Sequence, residues 1–212
     1  MIIAIDGPAA AGKGTLARRL AAHLDFAYLD SGLLYRAVAA RALGEGIDLN
    51  DDRALEALAQ ALQPGDLDRS DLRAPKVSEA ASRVAALTPV RQALVDFQRS
   101  FADSPPGGKG GAVLDGRDIG TVICPYATCK LYITATREVR AKRRWLELRE
   151  RDPAAIYDRV FNDLVVRDER DETRKDAPLK PAADAVIIDT SALTADAVFA
   201  QALAIVEAAR SG

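Results

Sequence analysis

Five short runs of apolar residues recur along the chain, beginning near residues 2, 27, 112, 130 and 185. Each run has the length of a buried strand and ends at polar residues or glycine. Longer segments between them repeat leucine, valine or alanine every three or four residues, as one face of an α-helix does. Strands alternating with helices in this way predict a parallel sheet with helices on both of its faces. We therefore expect a three-layer α/β fold with five parallel strands.

The helical patterns follow the strands closely. Leu16, Leu20 and Leu24 recur every four residues after the first run. A second helix should follow Asp30-Ser31-Gly32, with Leu34, Val38 and Leu43 toward the core and with Asp30 or Ser31 as its cap. Further helical segments are predicted over residues 51–62, 75–102 with a break near Thr88-Pro89, 136–150, 152–175 and from Thr194 to Val206, whereas residues 64–71 are polar and irregular.

A glycine-rich segment joins the first strand to the first helix. It consists of Gly7, Pro8, Ala9, Ala10, Ala11, Gly12, Lys13, Gly14 and Thr15. In this context Gly-x4-Gly-Lys predicts a phosphate-binding loop, because its N–H groups and the helix N-terminus attract an anion. Lys13 adds a charge that can reach the outer phosphates. The alternative is a turn that binds nothing, and the agreement of strand, glycines and lysine disfavours it.

One position of this loop departs from the common pattern. Gly14 occupies the place where a serine or threonine hydroxyl usually ligates Mg²⁺, and Thr15 follows one residue later. We therefore expect Mg²⁺ to be held mainly by nucleotide phosphates and water, in keeping with its reluctance to dehydrate. Asp115 and Thr15 are the candidates for its outer shell.

A second polar constellation follows the apolar run 112–114. Asp115 can orient waters on Mg²⁺, Arg117 can neutralise a transferring phosphoryl group, and Asp118 can accept a hydrogen bond from an exocyclic amine. Such residues at the carboxyl end of a strand favour a ligand site. The alternative is a charged turn that Arg–Asp pairs close on itself.

The third constellation lies in the strongly charged stretch 152–175. Arg167, Arg170, Asp171 and Arg174 are spaced to lie on one helical face, where three arginines could clamp phosphates. A solvated helix with paired charges is the alternative for such a segment.

Several stretches together resemble bacterial cytidylate kinases, in the same order and over nearly the whole chain. They are Gly12-Lys13-Gly14-Thr15, Asp30-Ser31-Gly32-Leu33-Leu34-Tyr35-Arg36, Val90-Arg91-Gln92-Ala93-Leu94, Asp115-Gly116-Arg117-Asp118-Ile119-Gly120-Thr121-Val122 and Arg167-Asp168-Glu169-Arg170-Asp171. The resemblance implies one P-loop kinase domain over 1–212, with strand order 2-3-1-4-5, an acceptor module at 31–103 and a lid at 152–176. Longer cytidylate kinases insert a small antiparallel sheet near residues 64–71, for which this chain has little room.

The resemblance also assigns roles to single residues. It assigns Arg167 and Arg174 to phosphates, and with the residues singled out above it gives Lys13, Asp115, Arg117, Arg167 and Arg174 as the catalytic residues and the whole glycine-rich loop as the ATP site. The resemblance assigns Arg36 to the phosphate of CMP, Ser82 and Arg91 to the cytosine ring and Asp171 to the sugar. With the residues singled out above, the residues expected to bind CMP are Ser31, Arg36, Ser82, Arg91, Arg117, Asp118, Asp171 and Arg174. Without it, Ser31 could equally be a helix cap, and Ser82 and Arg91 would be taken for exposed residues. Arg143 and Arg144 are weak candidates for stacking on adenine, and a solvated face is favoured for them.

The implied reaction is transfer of the γ-phosphoryl group of Mg·ATP to CMP or dCMP. Three alternatives stay open: a P-loop kinase for another small acceptor such as UMP, AMP or shikimate, a GTPase switch, and a module that binds nucleotide without catalysis. The GTPase is disfavoured because the sequence contains no Asn-Lys-x-Asp stretch.

Composition narrows the remaining classes. The net charge of −2 recommends no nucleic-acid polymer as a partner. Cys124 and Cys129 fit no zinc pattern and are expected to be reduced thiols. No apolar run approaches the ~18 residues of a membrane span, and a core strand that begins at Ile2 leaves no room for a signal peptide. We therefore expect a cytoplasmic protein, and a monomer.

Overall fold

The computed structural model describes residues 1–150 and 152–211. Its strands are β1 Ile2–Asp6, β2 Ala27–Asp30, β3 Ala112–Gly116, β4 Cys129–Thr134 and β5 Val186–Asp189. They form one sheet in the order β2-β3-β1-β4-β5, in which β1 pairs in parallel with β3 and β4, and β4 pairs in parallel with β5. The predicted strand positions and the strand order are confirmed.

The described part of the chain contains eight α-helices. They are α1 Lys13–Leu24, α2 Ser31–Glu45, α3 Asp52–Gln60, α4 Pro75–Val84, α5 Thr88–Asp103, α6 Arg137–Arg149, α7 Tyr157–Thr173 and α8 Ala195–Ser211. None of these helices is long and apolar enough to cross a membrane, among the residues described.

One face of the sheet packs against α1 and α8. Alternate residues of the strands, such as Ile3, Ile5 and Leu131, form a core with Leu20 of α1 and Ala202 of α8. Alternation places these strand residues on one face, because successive side chains of a strand point to opposite sides. α1 therefore lies against the strand that precedes the glycine-rich loop, which fixes the direction in which the loop leaves the sheet. Cys124 and Cys129 are buried free thiols.

The chain divides into two compact units, residues 1–28 with 102–212 and residues 29–101. The first contains most of the sheet, and the second is built from α2 to α5. In the second unit Leu34, Val38 and Leu55 are buried as predicted, whereas Leu43 is only half-buried and Ala42 takes the fully buried place. The acceptor module at 31–103 and the lid at 152–176 stay predictions.

Local structure differs from the sequence-based expectation in three places. Residues predicted to be irregular form two short 3₁₀ turns, Pro64–Asp68 and Ser70–Arg73. Asp30 occupies the N-cap position of α2, as predicted, but its side chain makes no capping hydrogen bond and its carboxylate lies 3.5 Å from Arg73, whereas Ser31 is the first residue of the helix. Helix α7 ends at Thr173, so Arg174 does not lie on its face.

Candidate active site

The glycine-rich loop leaves β1 at Gly7 and enters α1 after Gly12. Both glycines have positive φ, 145° at Gly7 and 96° at Gly12. A Cβ on Gly7 would lie 2.0 Å from the carbonyl oxygen of Ile133, so no side chain fits there. The loop therefore needs glycine for its tight approach to β4 and for its left-handed entry into the helix.

Side chains from elsewhere in the first unit hold the carbonyl groups of this loop. Arg140 Nη1 donates to the Ala9 carbonyl over 3.3 Å, and Thr190 Oγ1 donates to the Ala11 carbonyl over 3.1 Å. In a trans peptide the N–H of the next residue points away from the carbonyl. The N–H groups of Ala10 and Gly12 therefore face away from these two donors, as an anion site requires.

Lys13 is the buried cation of the loop. Its side chain is 7% exposed, and its Nζ donates to the Pro8 carbonyl over 2.8 Å. Burial lowers the pKa of Lys13 to about 7, and Arg117 acts in the same direction, while Asp115 acts against it. Because this ammonium group has few water contacts, the negative charge of a phosphate should stabilise it strongly.

If this loop binds the phosphates of ATP, the lowered pKa of Lys13 predicts that binding takes up a proton at this residue. Phosphate charges favour the ammonium form, so its pKa should return toward the ordinary value of about 10. Above pH 7 the free protein holds fewer protons at Lys13 than the complex, and uptake should grow between pH 7 and pH 8.5. Calorimetric titration with ATP in two buffers of different ionisation enthalpy measures the uptake. A Lys13→Met variant that takes up as many protons as the wild type would contradict the prediction.

Asp6, at the end of β1, holds the turn that follows Asp118. Its two carboxylate oxygens accept the N–H groups of Ile119 at 2.8 Å and Gly120 at 2.7 Å. Burial raises the pKa of Asp6 to about 6, although these two amides act in the opposite direction. The anchored segment Ile119–Ile123 forms one π-helical turn. Sequence reasoning missed Asp6, although the strand-end argument used for Asp115 applies equally to it.

Asp115 is buried at the end of β3, close to the start of α1. Its Oδ1 accepts from the Tyr28 hydroxyl over 3.2 Å, and its Oδ2 lies 3.4 Å from the position that a Cβ on Gly14 would take. No group of three potential metal-ligating side chains occurs among the described residues. This single carboxylate suits a Mg²⁺ ion held mainly by phosphates and water, as hard oxygen ligands and retained waters are typical of that ion. Tyr28 was not found from the sequence.

Arg117 pairs with α7 and does not close its own turn. Its Nε donates to Asp171 Oδ2 over 2.9 Å. Burial raises the pKa of Asp171, but the charges of Arg117 and Arg167 more than offset this, so the pKa lies below its ordinary value. The Arg–Asp turn closed on itself, weighed above as an alternative, is therefore wrong.

Arg174 lies just beyond α7 and faces Asp118. The side chain of Arg174 is 5% exposed, and its Nη2 lies 3.7 Å from Asp118 Oδ1. Arg167 and Arg170 are half-buried on α7 itself. The structure thus brings Arg117, Asp118, Asp171 and Arg174 together. Their contacts differ from those of the single helical face that the sequence predicted.

A further buried pair was not expected from the sequence. Arg140 of α6 and Asp168 of α7 lie 2.7 Å apart, between Nη2 and Oδ2. Asp168 belongs to one of the stretches that carry the family resemblance, but the sequence analysis assigns no role to it. Arg140 lay in a helix that looked solvated, and its spacing carried no signal of burial.

The second unit holds four residues assigned to CMP. Ser31, Ser82 and Arg91 are buried, the last two at 6% exposure, so the alternative of an exposed serine and a solvated arginine at positions 82 and 91 is wrong. Arg91 donates to the Ala85 carbonyl over 3.2 Å. Arg36 donates to the carbonyl of Leu72 at 3.0 Å and to Ser78 Oγ at 2.9 Å.

The two adenine candidates of α6 differ in their surroundings. Arg143 donates to the hydroxyl of Thr190 at 2.9 Å and to its carbonyl at 2.8 Å, which ties α6 to the end of β5. Arg144 pairs with Glu147 at 2.8 Å along the same helix. The solvated face favoured from the sequence is wrong for Arg143, because its guanidinium is half-buried and engaged.

Comparison with known protein families identifies the kind of P-loop protein to which this chain belongs. The family model described as cytidylate kinase matches residues 3–208. The chain belongs to the cytidylate kinase family. This confirms the resemblance seen in the sequence.

Relatives named cytidylate kinase cover nearly all of the chain. The one from Paramagnetospirillum magneticum is 58% identical over 209 residues, which are 99% of each chain. That from Methylocella silvestris is 57% identical, covering 99% of this chain and 95% of its own. A crystal structure of an uncharacterised protein from Eubacterium ventriosum has a TM-score of 0.54 at 15% identity, with 100% of this chain and 99% of that chain covered, and shows the shared fold alone.

Proposed function

We propose that this member of the cytidylate kinase family is a nucleoside monophosphate kinase of pyrimidine nucleotide metabolism. It transfers the γ-phosphoryl group of Mg·ATP directly and in line to CMP and dCMP, and it forms CDP and dCDP. The observation that carries the proposal is the buried Lys13 of the glycine-rich loop, whose Nζ donates to the Pro8 carbonyl and whose pKa is lowered to about 7 by burial, with the charges of the half-buried Arg117 and Arg167 acting in the same direction. Clustered cations of this kind suit the crowded charges of a transferring phosphoryl group.

The donor site is proposed to be the whole loop from Gly7 to Thr15. The N–H groups of Ala10 and Gly12 face away from Arg140 and Thr190, which supports binding of the ATP phosphates there. Lys13 would exchange its bond to the Pro8 carbonyl for the outer phosphates. This exchange replaces a neutral partner by an anion, which strengthens the interaction.

Catalysis is proposed to rest on alignment and charge neutralisation, because phosphoryl transfer needs little covalent chemistry from the protein. Lys13, Arg117, Arg167 and Arg174 would surround the phosphates. Mg²⁺, when bound, would neutralise charge on the β- and γ-phosphates. Asp115, oriented by the Tyr28 hydroxyl, would hold water in the outer shell of that ion, with Thr15 as the other candidate.

The acceptor is proposed to be recognised by the residues that the sequence analysis assigned to CMP. Arg36 would grip the phosphate of CMP, Ser82 and Arg91 would contact the cytosine ring, and Ser31 would lie beside the nucleotide. Asp118 would accept from the cytosine amine, and Asp171 would bind the sugar. Support comes from the charged side chains that meet near the end of β3, where Arg117 contacts Asp171 and Arg174 lies 3.7 Å from Asp118.

Residues 152–176 are proposed to act as a lid within a single kinase domain. Closure of this lid would exclude water, which otherwise accepts the phosphoryl group. We also propose that the protein works as a cytoplasmic monomer on small nucleotides, without a nucleic-acid polymer or membrane as its partner.

The decisive experiment incubates the protein with Mg·ATP and a panel of CMP, dCMP, UMP, AMP and shikimate, and measures ADP. Fastest turnover with CMP and dCMP is expected. Preference for another acceptor would make the protein a different P-loop kinase. Binding of ATP without any product would indicate a noncatalytic nucleotide-binding module.

The two lid arginines offer a matched comparison. Arg174→Met is expected to lower kcat/KM for CMP more than Arg170→Met, by about tenfold, equivalent to ~1.4 kcal/mol. The reason is that Arg174 Nη2 lies 3.7 Å from Asp118 Oδ1, among the residues proposed to bind the nucleotide, whereas Arg170 lies on α7 and has no assigned role. Both variants are assayed at one salt concentration. Equal losses, or a larger loss for Arg170→Met, would reject the role proposed for Arg174.

A further inference from the structure

Arg140 makes three separate sets of contacts from one buried guanidinium. Its Nε donates to the Ala135 carbonyl over 3.0 Å at the end of β4. Its Nη1 donates to the Ala9 carbonyl in the glycine-rich loop and to Asp168 Oδ1, over 3.3 Å and 3.1 Å. Its Nη2 lies 2.7 Å from Asp168 Oδ2. The group therefore touches the sheet, the loop and α7 at once.

Asp168 lies on the buried side of α7. With Leu164 and Asp171 it occupies the inward positions of that helix, and it follows Arg167 directly. Asp171 in turn accepts from Arg117. Any rotation or shift of α7 that carries Asp168 away from Arg140 therefore also moves the two α7 residues proposed to handle nucleotide.

The chemistry of this pair favours a positioning role over simple packing. Arg140 is 4% exposed and Asp168 is 1% exposed, so both charges are removed from water. Buried ion pairs are often no more stabilising than apolar residues of similar volume. A planar guanidinium, with five donors in a fixed fork, can satisfy a carboxylate and two carbonyls together, whereas the point charge of lysine cannot match that geometry.

We propose that Arg140 is a positioning residue that couples the phosphate-binding loop to helix α7 through Asp168. By holding the Ala9 carbonyl, it keeps the next N–H of the loop turned toward the phosphates. By holding Asp168, it makes the placement of α7 depend on that same loop geometry. This proposal rests on the proposed function of the loop as the ATP site.

The coupling is tested with Asp168→Asn and Arg140→Lys, each nearly conservative in size. Matched controls are Asp163→Asn and Arg137→Lys, exposed positions on the same two helices. ATP affinity is measured by calorimetry. Amide hydrogen exchange, with and without ATP, is followed over residues 7–15 and 157–173. Thermal melting establishes that each variant is folded.

The expected result has two parts. Both site variants should bind ATP at least about fivefold more weakly than the wild type, the lower end of typical coupling between sites, while the controls stay within twofold. In the wild type ATP should slow exchange in both segments. In Asp168→Asn, saturating ATP should still protect residues 7–15 but no longer protect residues 157–173.

A double-mutant cycle makes the test stricter. If Arg140 and Asp168 act as one unit, combining the two changes should weaken ATP binding no more than the stronger single change. Additive losses, affinities within twofold of the wild type, or retained protection of α7 would overturn the proposal. Should Asp168→Asn fail to fold, the ATP affinity of Arg140→Lys and the amide hydrogen exchange of its residues 157–173 still decide the outcome.

The outcome is also separable from the kinase proposal. Wild-type protein that binds ATP and shows this coupled protection, yet forms no CDP, would refute the kinase activity and leave the coupling intact. Wild-type protein that forms CDP without any ATP-dependent protection of α7 would refute the coupling and leave the kinase activity intact.

Discussion

Replacing Lys13 by alanine is expected to abolish turnover while leaving the fold intact. The side chain is buried beside Arg117 and Arg167, whose charges already oppose its ionisation. Its charge should be stabilised most as negative charge develops on the separating phosphoryl group. Loss of one such preorganised group typically costs about 10²–10³-fold in kcat. The fold should survive because the hydrogen bond of Lys13 is to the Pro8 carbonyl within its own loop.

The measurement is kcat for CMP at saturating Mg·ATP, with thermal melting as the check on folding. Lys142→Ala is the matched control, because Lys142 is exposed on α6 and has no proposed role. If turnover fell less than about tenfold, only ~1.4 kcal/mol of barrier, the role assigned to Lys13 would be wrong.

The second large effect concerns how the base is recognised. Cytosine carries an amine at the 4-position where uracil carries a carbonyl. The buried carboxylate of Asp118 can accept from the amine and repels the carbonyl. A site built on buried hydrogen bonds rejects a partner that leaves its own groups unpaired, at about 1–3 kcal/mol for each group. Asp118→Ala should therefore lower activity on CMP at least about tenfold more than activity on UMP.

Measuring kcat/KM for both substrates in both proteins isolates this effect. Asp118 also faces Arg174, and disturbing that arginine should lower both activities alike, so the CMP:UMP ratio reports base recognition alone. Asp158→Ala, an exposed change on α7, serves as the control. An unchanged ratio would mean that Asp118 only positions Arg174 and does not recognise the base.

Much of the fold followed from local patterns in the sequence. The apolar runs predicted all five strands within one residue of their starts. β1, β3 and β4 are mostly buried, as continuous apolar runs predict for a parallel sheet, whereas β5 is largely exposed although its sequence is also apolar. The glycine-rich loop was recognisable because Gly7 and Gly12 meet backbone requirements that few other residues can meet. The acidic residue at the end of β3 followed from the direction of parallel strands. The strand order needed the family resemblance, because order depends on pairing between distant segments.

The tertiary structure decided the partners of the charged residues. Arg140 meets the Ala9 carbonyl from 131 positions away, and Asp6 meets the Ile119 amide from 113 positions away. No periodicity signals such contacts, because they depend on how the elements pack. For the same reason the sequence did not show that Arg174 lies outside α7 and close to Asp118. Nor did it show, without the family resemblance, that Ser82 and Arg91 are buried. Sequence alone thus determined the elements and the phosphate loop, whereas packing alone determined which charges share a buried site, since in a chain with 28% charged residues any of many pairs could have formed.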